Sequence, residues 1–184
     1  QALSFAAFNA LWTVVVVHLT SKPFSWSLSD AALFGVVGIA AGAITPLAGF
    51  IIDHFGAART ASFLTLALLA SVSSVIFDGQ NPVLFGLSMF LVTLTNQALQ
   101  SANQLRALSL DSDRSAQANT AFMMLVFLGG AFGALAGSSV YDYGGMQVLG
   151  TVCAAFVVIS AVMLWASERS NRDSQKPIDE RKSA

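Results

Sequence analysis

Long stretches without a charged side chain constrain this chain more than any other feature. Runs that lack Asp, Glu, Lys and Arg occupy residues 2–20, 31–52, 60–77, 79–105, 115–141 and 143–167. A helix needs about 20 apolar residues to cross a hydrocarbon layer of about 30 Å. We therefore predict an all-α membrane protein, with six transmembrane helices in a domain of residues 1–167. A polar tail of residues 168–184 follows, which we expect to be unstructured.

The basic residues indicate how these helices are oriented. With six spans, both chain ends and the connections after the second and fourth spans share one side of the membrane. That side holds eight of the nine Lys and Arg residues, and only Lys22 lies on the other. Because cytoplasmic segments carry an excess of Lys and Arg, we predict that both ends of this chain are cytoplasmic.

Composition argues against several classes of function. A net charge of −1 offers no basic surface for nucleic acid. One Cys and two His cannot supply the usual ligand clusters, so we expect no metal and no cofactor. A membrane-embedded enzyme is the least expected class, because the chain has no His-Glu-x-x-His motif and no serine in a protease-like glycine turn. A non-catalytic interaction or assembly protein of the membrane is an alternative that composition leaves open.

One face of the fourth span is unusually polar. At about 100° per residue, its amides and hydroxyls fall within a sector of about 120°. Such amides in a membrane must find partners or water. The first span places polar groups and a tryptophan at about the same depth. We predict a substrate cavity between these two spans, lined by Asn9, Trp12, Thr13, Thr93, Asn96, Gln97 and Gln100.

Glycines form a stripe on each of two other spans, the second and the fifth. Small residues let helix backbones approach closely in lipid. Either stripe could pack within this chain, but two stripes suggest more contact surface than six helices need. We predict that both face a further helical domain and that this chain is a piece of a longer one. The predicted interface residues are Gly35, Gly38, Gly42, Gly129, Gly133 and Gly137.

A short loop after the second span has an echo after the fifth. Residues 53–56 and 142–145 both read Asp-x-x-Gly, 89 positions apart. Three spans separate the copies, so they face opposite sides of the membrane, as two inverted three-helix repeats would. We also expect Asp53 to pair with Arg106, the nearest cation on its side.

The segment from Gly49 to Arg59 resembles the cytoplasmic loop motif of the major facilitator superfamily, Gly-x-x-x-Asp-(Arg/Lys)-x-Gly-(Arg/Lys)-(Arg/Lys). Gly49, Asp53 and Gly56 match it. The basic positions do not, and Arg59 stands just beyond them, as in the second copy of the motif in twelve-helix transporters. The chain therefore resembles the C-terminal six-helix half of such a transporter, of the bacterial drug-efflux type.

This resemblance implies a secondary active transporter that works by alternating access and has no enzymatic activity. We expect it to be an antiporter in the bacterial inner membrane that couples proton entry to export of a small amphiphilic or drug-like solute. The expected partners are the solute, protons, the N-terminal half and the lipid bilayer. No carboxylate lies at mid-membrane here, so we expect the proton-carrying carboxylate in the other half. The implied cytoplasmic gate consists of Gly49, Asp53, Gly56, Arg59 and Arg106.

Overall fold

The computed structural model describes residues 1–77, 81–109 and 114–180, with side chains as far as residue 170. These residues form helices and connecting loops, without a strand. Four helices in this part of the chain are long and apolar enough to cross a membrane, or five if a bent pair counts as one. The all-helical class is confirmed, and six spans stay a prediction. In order the helices are α1 (Ala2–Thr20), α2 (Leu28–Leu33), α3 (Gly35–Ile44), α4 (Leu47–Phe55), α5 (Ala57–Phe77), α6 (Pro82–Leu108) and α7 (Ser115–Glu180).

Local sequence explains where α6 begins. The Asn81 side chain accepts hydrogen bonds from the backbone N–H groups of Val83 at 3.0 Å and Leu84 at 3.3 Å. Pro82 takes the first helical position, where its missing N–H costs nothing. Residues 79 and 80, which we assigned to this span, lie outside the described residues.

The second predicted span is broken into α2, α3 and α4. Segments Leu28–Ile44 and Leu47–Phe55 meet at Thr45 and Pro46 with a bend of 41°. Proline has no N–H for the helical ladder, which accounts for the bend. The hydroxyl of Thr45 donates to the carbonyl of Ala41 at 3.1 Å.

Two glycines at matching positions of the Asp-x-x-Gly copies take the same unusual backbone conformation. Gly56 ends α4 with φ 81°, and its N–H donates to the carbonyl of Ile52 at 2.8 Å. Gly145 has φ 67°. Residues with a side chain rarely adopt such angles. The two glycines thus share a positive φ, and the inverted repeat stays a prediction.

The long helix α7 consists of two parts, which we call α7a (residues 115–143) and α7b (residues 146–180). Gly144 and Gly145 between them are not helical. On α7b, Cys153 contacts the carbonyl of Ala7 and Ser160 bonds to Ser4, so α7b runs antiparallel to α1. The helix continues to Glu180, so the described part of the tail is helical and our expectation of an unstructured tail is wrong there.

Helix α7a packs on α1 through its glycine stripe. A Cβ added at Gly137 would lie 2.7 Å from the Cα of Ala10, and the stripe meets α1 in register and parallel. Contact this close leaves no room for a side chain. The prediction that this stripe faces another domain is wrong, because α1 fills that position within the chain. The facing pairs are Gly129 with Ala2, Gly133 with Ala6 and Gly137 with Ala10.

The stripe on the second span is different. Nothing lies within 4 Å of a Cβ added at Gly35 or Gly42, whereas one at Gly38 would lie 3.2 Å from the Trp12 ring. Gly35 and Gly42 thus present an open surface, and their contact with a further domain stays a prediction.

Candidate transport cavity and cytoplasmic gate

A hydrogen bond joins the two helices that we expected to line the cavity. The indole N–H of Trp12 on α1 donates to the hydroxyl of Thr93 on α6 at 3.0 Å. Thr93 in turn donates to the carbonyl of Met89 at 2.8 Å, so its single hydroxyl proton is already used. Two of the seven predicted cavity residues are therefore in direct contact across α1 and α6.

Two other predicted residues, Asn9 and Thr13, lie beside this contact on α1. The amide of Asn9 donates to the carbonyl of Phe5 at 3.1 Å, and Thr13 donates to the carbonyl of Asn9 at 2.7 Å. Asn9 is half-buried beside Gly130 of α7a, whereas Thr13 is exposed. Both bond within their own helix, so the structure does not join them to the amides of α6.

Asn96 lies deeper than we expected of a cavity residue. Its side chain is fully buried, and neither amide atom has a hydrogen-bond partner among the described residues. It shares a helix face with Thr93, which accepts a hydrogen bond from Trp12, and with Asn103, whose amide donates to the side chain of Gln1 at 2.9 Å. Asn96 therefore faces α1, and a buried amide without a partner is costly unless a ligand or another state satisfies it.

The remaining amides, Gln97 and Gln100, are half-buried on α6. The carbonyl oxygen of Gln100 is buried and has no partner in the part of the chain that the structure describes. These side chains retain unused hydrogen-bonding capacity, which a polar ligand can take up.

A row of aromatic rings lies beside the predicted cavity residues, and our sequence analysis recognised only Trp12 in it. Phe5 stacks on Phe8 with ring centroids 5.6 Å apart, and Phe8 lies 6.3 Å from Trp12. Trp12 lies 6.3 Å from Phe34. The spacing of three and four residues along α1 was the signal that we missed, because it also describes an ordinary core face.

The residues predicted to form a cytoplasmic gate make different contacts from those we expected. A guanidinium nitrogen of Arg106 lies 3.6 Å from a carboxylate oxygen of Glu168 on α7b, and that same carboxylate oxygen accepts a hydrogen bond from Ser62 at 3.2 Å. Asp53 is exposed and has no ion pair among the described residues. The predicted Asp53–Arg106 pair is wrong, because the end of α7b packs beside α5 and α6 while Asp53 points outward from α4.

A polar cavity of about 1000 Å³ opens around this ion pair. Arg59 and Arg106, two of the predicted gate residues, contribute to its wall together with Ser62, Asn103 and Glu168. Gly49 is exposed on α4 with nothing within 4 Å of an added Cβ. Sequence reasoning missed Glu168 because its only local signal was its position just after the last apolar run.

The opposite end of the bundle is closed by a histidine contact. The Nδ1 atom of His18 on α1 lies 3.0 Å from the hydroxyl of Tyr141 on α7a, and the imidazole is buried. The ring of Phe85 on α6 lies 5.1 Å away. Three helices thus meet here through side chains, at the end away from the Arg106–Glu168 pair. In the described residues no group of His, Cys, Asp and Glu is placed to hold a metal ion.

Comparison with known proteins gives these features a family. The model of the Major Facilitator Superfamily matches residues 1–184. The chain belongs to this superfamily of transporters. The family that we recognised from Gly49–Arg59 is confirmed, and the chain is a multi-pass membrane protein. Membership favours transport over catalysis.

Related proteins agree with this assignment. A probable transporter of Streptomyces coelicolor is 32% identical over 160 residues, which cover 86% of this chain and 37% of that protein. The uncharacterized transporter YgaY of Escherichia coli K12 is 29% identical over 163 residues, covering 89% of this chain and 41% of that protein. This superfamily chain therefore spans about two fifths of the length of these relatives. No solved structure matches it significantly.

Proposed function

We propose that this chain is the C-terminal six-helix half of a secondary active transporter that exports a small amphiphilic or drug-like solute in exchange for protons. The observation that carries the proposal is the Trp12–Thr93 bond, which joins α1 and α6 beside a row of aromatic rings. Amides with unused hydrogen-bonding capacity and flat apolar rings suit a solute that is partly polar and partly aromatic.

The proposed architecture has six spans in two inverted three-helix repeats, with both ends of this chain in the bacterial cytoplasm. The length of the segment Ser115–Ser170, 56 residues, supports two crossings by α7, because 56 residues rise about 84 Å as a helix and one crossing needs about 30 Å. The open face at Gly35 and Gly42 is the proposed contact with the N-terminal half. The proton-carrying carboxylate is proposed to lie in that half.

The proposed cargo site consists of Asn9, Trp12, Thr13, Thr93, Asn96, Gln97 and Gln100. Asn96 is fully buried here, so its contact with cargo belongs to a state in which α1 and α6 separate. Gln97 and Gln100 are only half-buried, although the side-chain carbonyl oxygen of Gln100 is itself buried. Their substitution is therefore the cleaner test of the site.

The test uses the full-length transporter in liposomes with an imposed proton gradient and ethidium, a flat aromatic cation, as the probe. Gln97→Ala and Gln100→Ala should each raise the KM for ethidium by about 2- to 12-fold, the usual net value of one hydrogen bond. Gln147→Ala, an exposed glutamine of α7b, is the matched control and should leave KM unchanged. Uptake that does not depend on the proton gradient would overturn the proposal. So would an equal KM for ethidium in the wild type and all three variants.

A further inference from the structure

A groove of about 440 Å³ lies where α4 turns into α5. Its walls are Ile51 and Phe55 from α4 and Arg59, Thr60 and Phe63 from α5. The pairs Ile51–Phe55 and Arg59–Phe63 are each four residues apart, so each presents one helix face to the groove. Ile51, Phe55 and Phe63 are 46%, 57% and 67% exposed, and they form an apolar channel open to its surroundings.

Thr60 gives this groove a polar group that needs a partner. Its side chain is 3% exposed, and its hydroxyl oxygen is buried without a hydrogen-bond partner among the described residues. Thr65, one turn further along α5, uses its hydroxyl on the carbonyl of Ala61 at 2.7 Å, as threonines in helices commonly do. A buried hydroxyl left unpaired is costly, so an acceptor reaching Thr60 from the groove would be favourable.

Arg59 is the charged residue in the wall of the same groove. It is exposed and has no ion pair in the part of the chain that the structure describes. It also borders the larger polar cavity, where Arg106 already has Glu168 as its partner. The guanidinium of Arg59 is therefore available to an anion, and its planar fork matches the oxygens of a phosphate.

We propose that this groove binds one anionic phospholipid of the cytoplasmic leaflet. The phosphate lies on Arg59, an ester oxygen accepts from Thr60, and an acyl chain follows Ile51, Phe55 and Phe63. Charge and shape together select this occupant: free phosphate leaves the apolar walls uncovered, and basic sites at the cytoplasmic ends of membrane helices attract anionic lipids. The choice of leaflet rests on the orientation given under the proposed function.

Native mass spectrometry of the full-length transporter in detergent tests this site directly. The protein is titrated with dioleoyl phosphatidylglycerol, with dioleoyl phosphatidylcholine and with inorganic phosphate. Arg59→Gln should weaken phosphatidylglycerol binding about fivefold and leave phosphatidylcholine binding unchanged. Arg169→Gln removes the same charge near the same end of the bundle, where Arg169 stacks on Trp165 outside the groove, and should change neither. Millimolar phosphate should not displace the lipid.

Thr60→Val, which keeps the side-chain shape and removes the hydroxyl, should weaken phosphatidylglycerol binding about 2- to 12-fold. Unchanged lipid binding in both Arg59→Gln and Thr60→Val would overturn the inference, as would displacement by phosphate alone. Lipid binding is measured apart from transport, so the two proposals fail separately. A transporter that exports ethidium normally but shows no preference for phosphatidylglycerol contradicts only the lipid site, and the reverse result contradicts only the proposed function.

Discussion

Glu168 connects three elements at the proposed cytoplasmic end through single side-chain contacts. It accepts a hydrogen bond from Ser62 of α5 and pairs with Arg106 of α6, while standing on α7b itself. Both members of the ion pair are about a quarter exposed, at 25% and 22%. Water screens such a pair, so its contribution to stability is about 0–1 kcal/mol. We therefore expect the ion pair to affect the equilibrium between open and closed states more than the stability of the fold.

Glu168→Gln should therefore open the cytoplasmic cavity without lowering the unfolding temperature much. The measurement is the reaction rate of a cysteine at Ala107, which borders the cavity, with a water-soluble maleimide in a Cys153→Ala background. We expect the rate to rise by up to about fivefold, because removing the pair shifts the equilibrium by about 1 kcal/mol or less. Asp53→Asn is the matched control and should leave the labelling rate unchanged. An equal increase in rate would mean that Asp53 also holds the cavity closed.

At the scale of helices, a larger residue should lower thermal stability to different extents in the two glycine stripes. Gly133→Leu places a side chain against the backbone of Ala6, and overpacking of this kind costs typically about 1–3 kcal/mol. A Cβ added at Gly42 meets nothing within 4 Å among the described residues. We expect Gly133→Leu to lower the midpoint of thermal aggregation in detergent, followed by size-exclusion chromatography, by more than Gly42→Leu does, because the only contact proposed for Gly42 is with the N-terminal half. Equal midpoints would mean that α7a does not pack on α1 as described.

The elements show what the sequence could predict and where it stopped. The apolar run at residues 2–20 coincides with α1, because the absence of charge is a property of the segment itself. Trp12 and Thr93 were placed at equal depth from position alone, and they are bonded. The packing partners of each helix were harder to predict. A helical wheel shows that Gly133 lies on a face of small residues, but it does not show which helix packs there. The ion pair between Arg106 and Glu168 similarly depends on how α6 packs against α7b, which cannot be predicted from a local sequence pattern.

At the scale of the whole molecule, the reversal at Gly144 and Gly145 should place Tyr143 on the opposite side of the membrane from the α4–α5 turn. Tyr143 is 89% exposed, and Ala58 in that turn is also exposed. In a Cys153→Ala background, Tyr143→Cys should react with an impermeant maleimide added outside intact cells. Ala58→Cys should react only in inside-out vesicles. Labelling of both cysteines from the same side of the membrane would contradict the six-span topology and the inverted repeat.

The contact between α1 and α7a also bears on how the bundle moves. It is made by main-chain atoms at Gly137 and Ala10 and at their equivalents one turn away, and main-chain atoms have no rotamers with which to absorb a shift. Helices α1 and α6 are instead linked through side chains such as Trp12 and Thr93, which can reorient. Helices α1 and α7a should therefore move as one rigid unit, whereas α1 and α6 should be able to move relative to each other. A spin label on α7a is therefore expected to report the displacement of α1 from α6 as faithfully as a label on α1 itself.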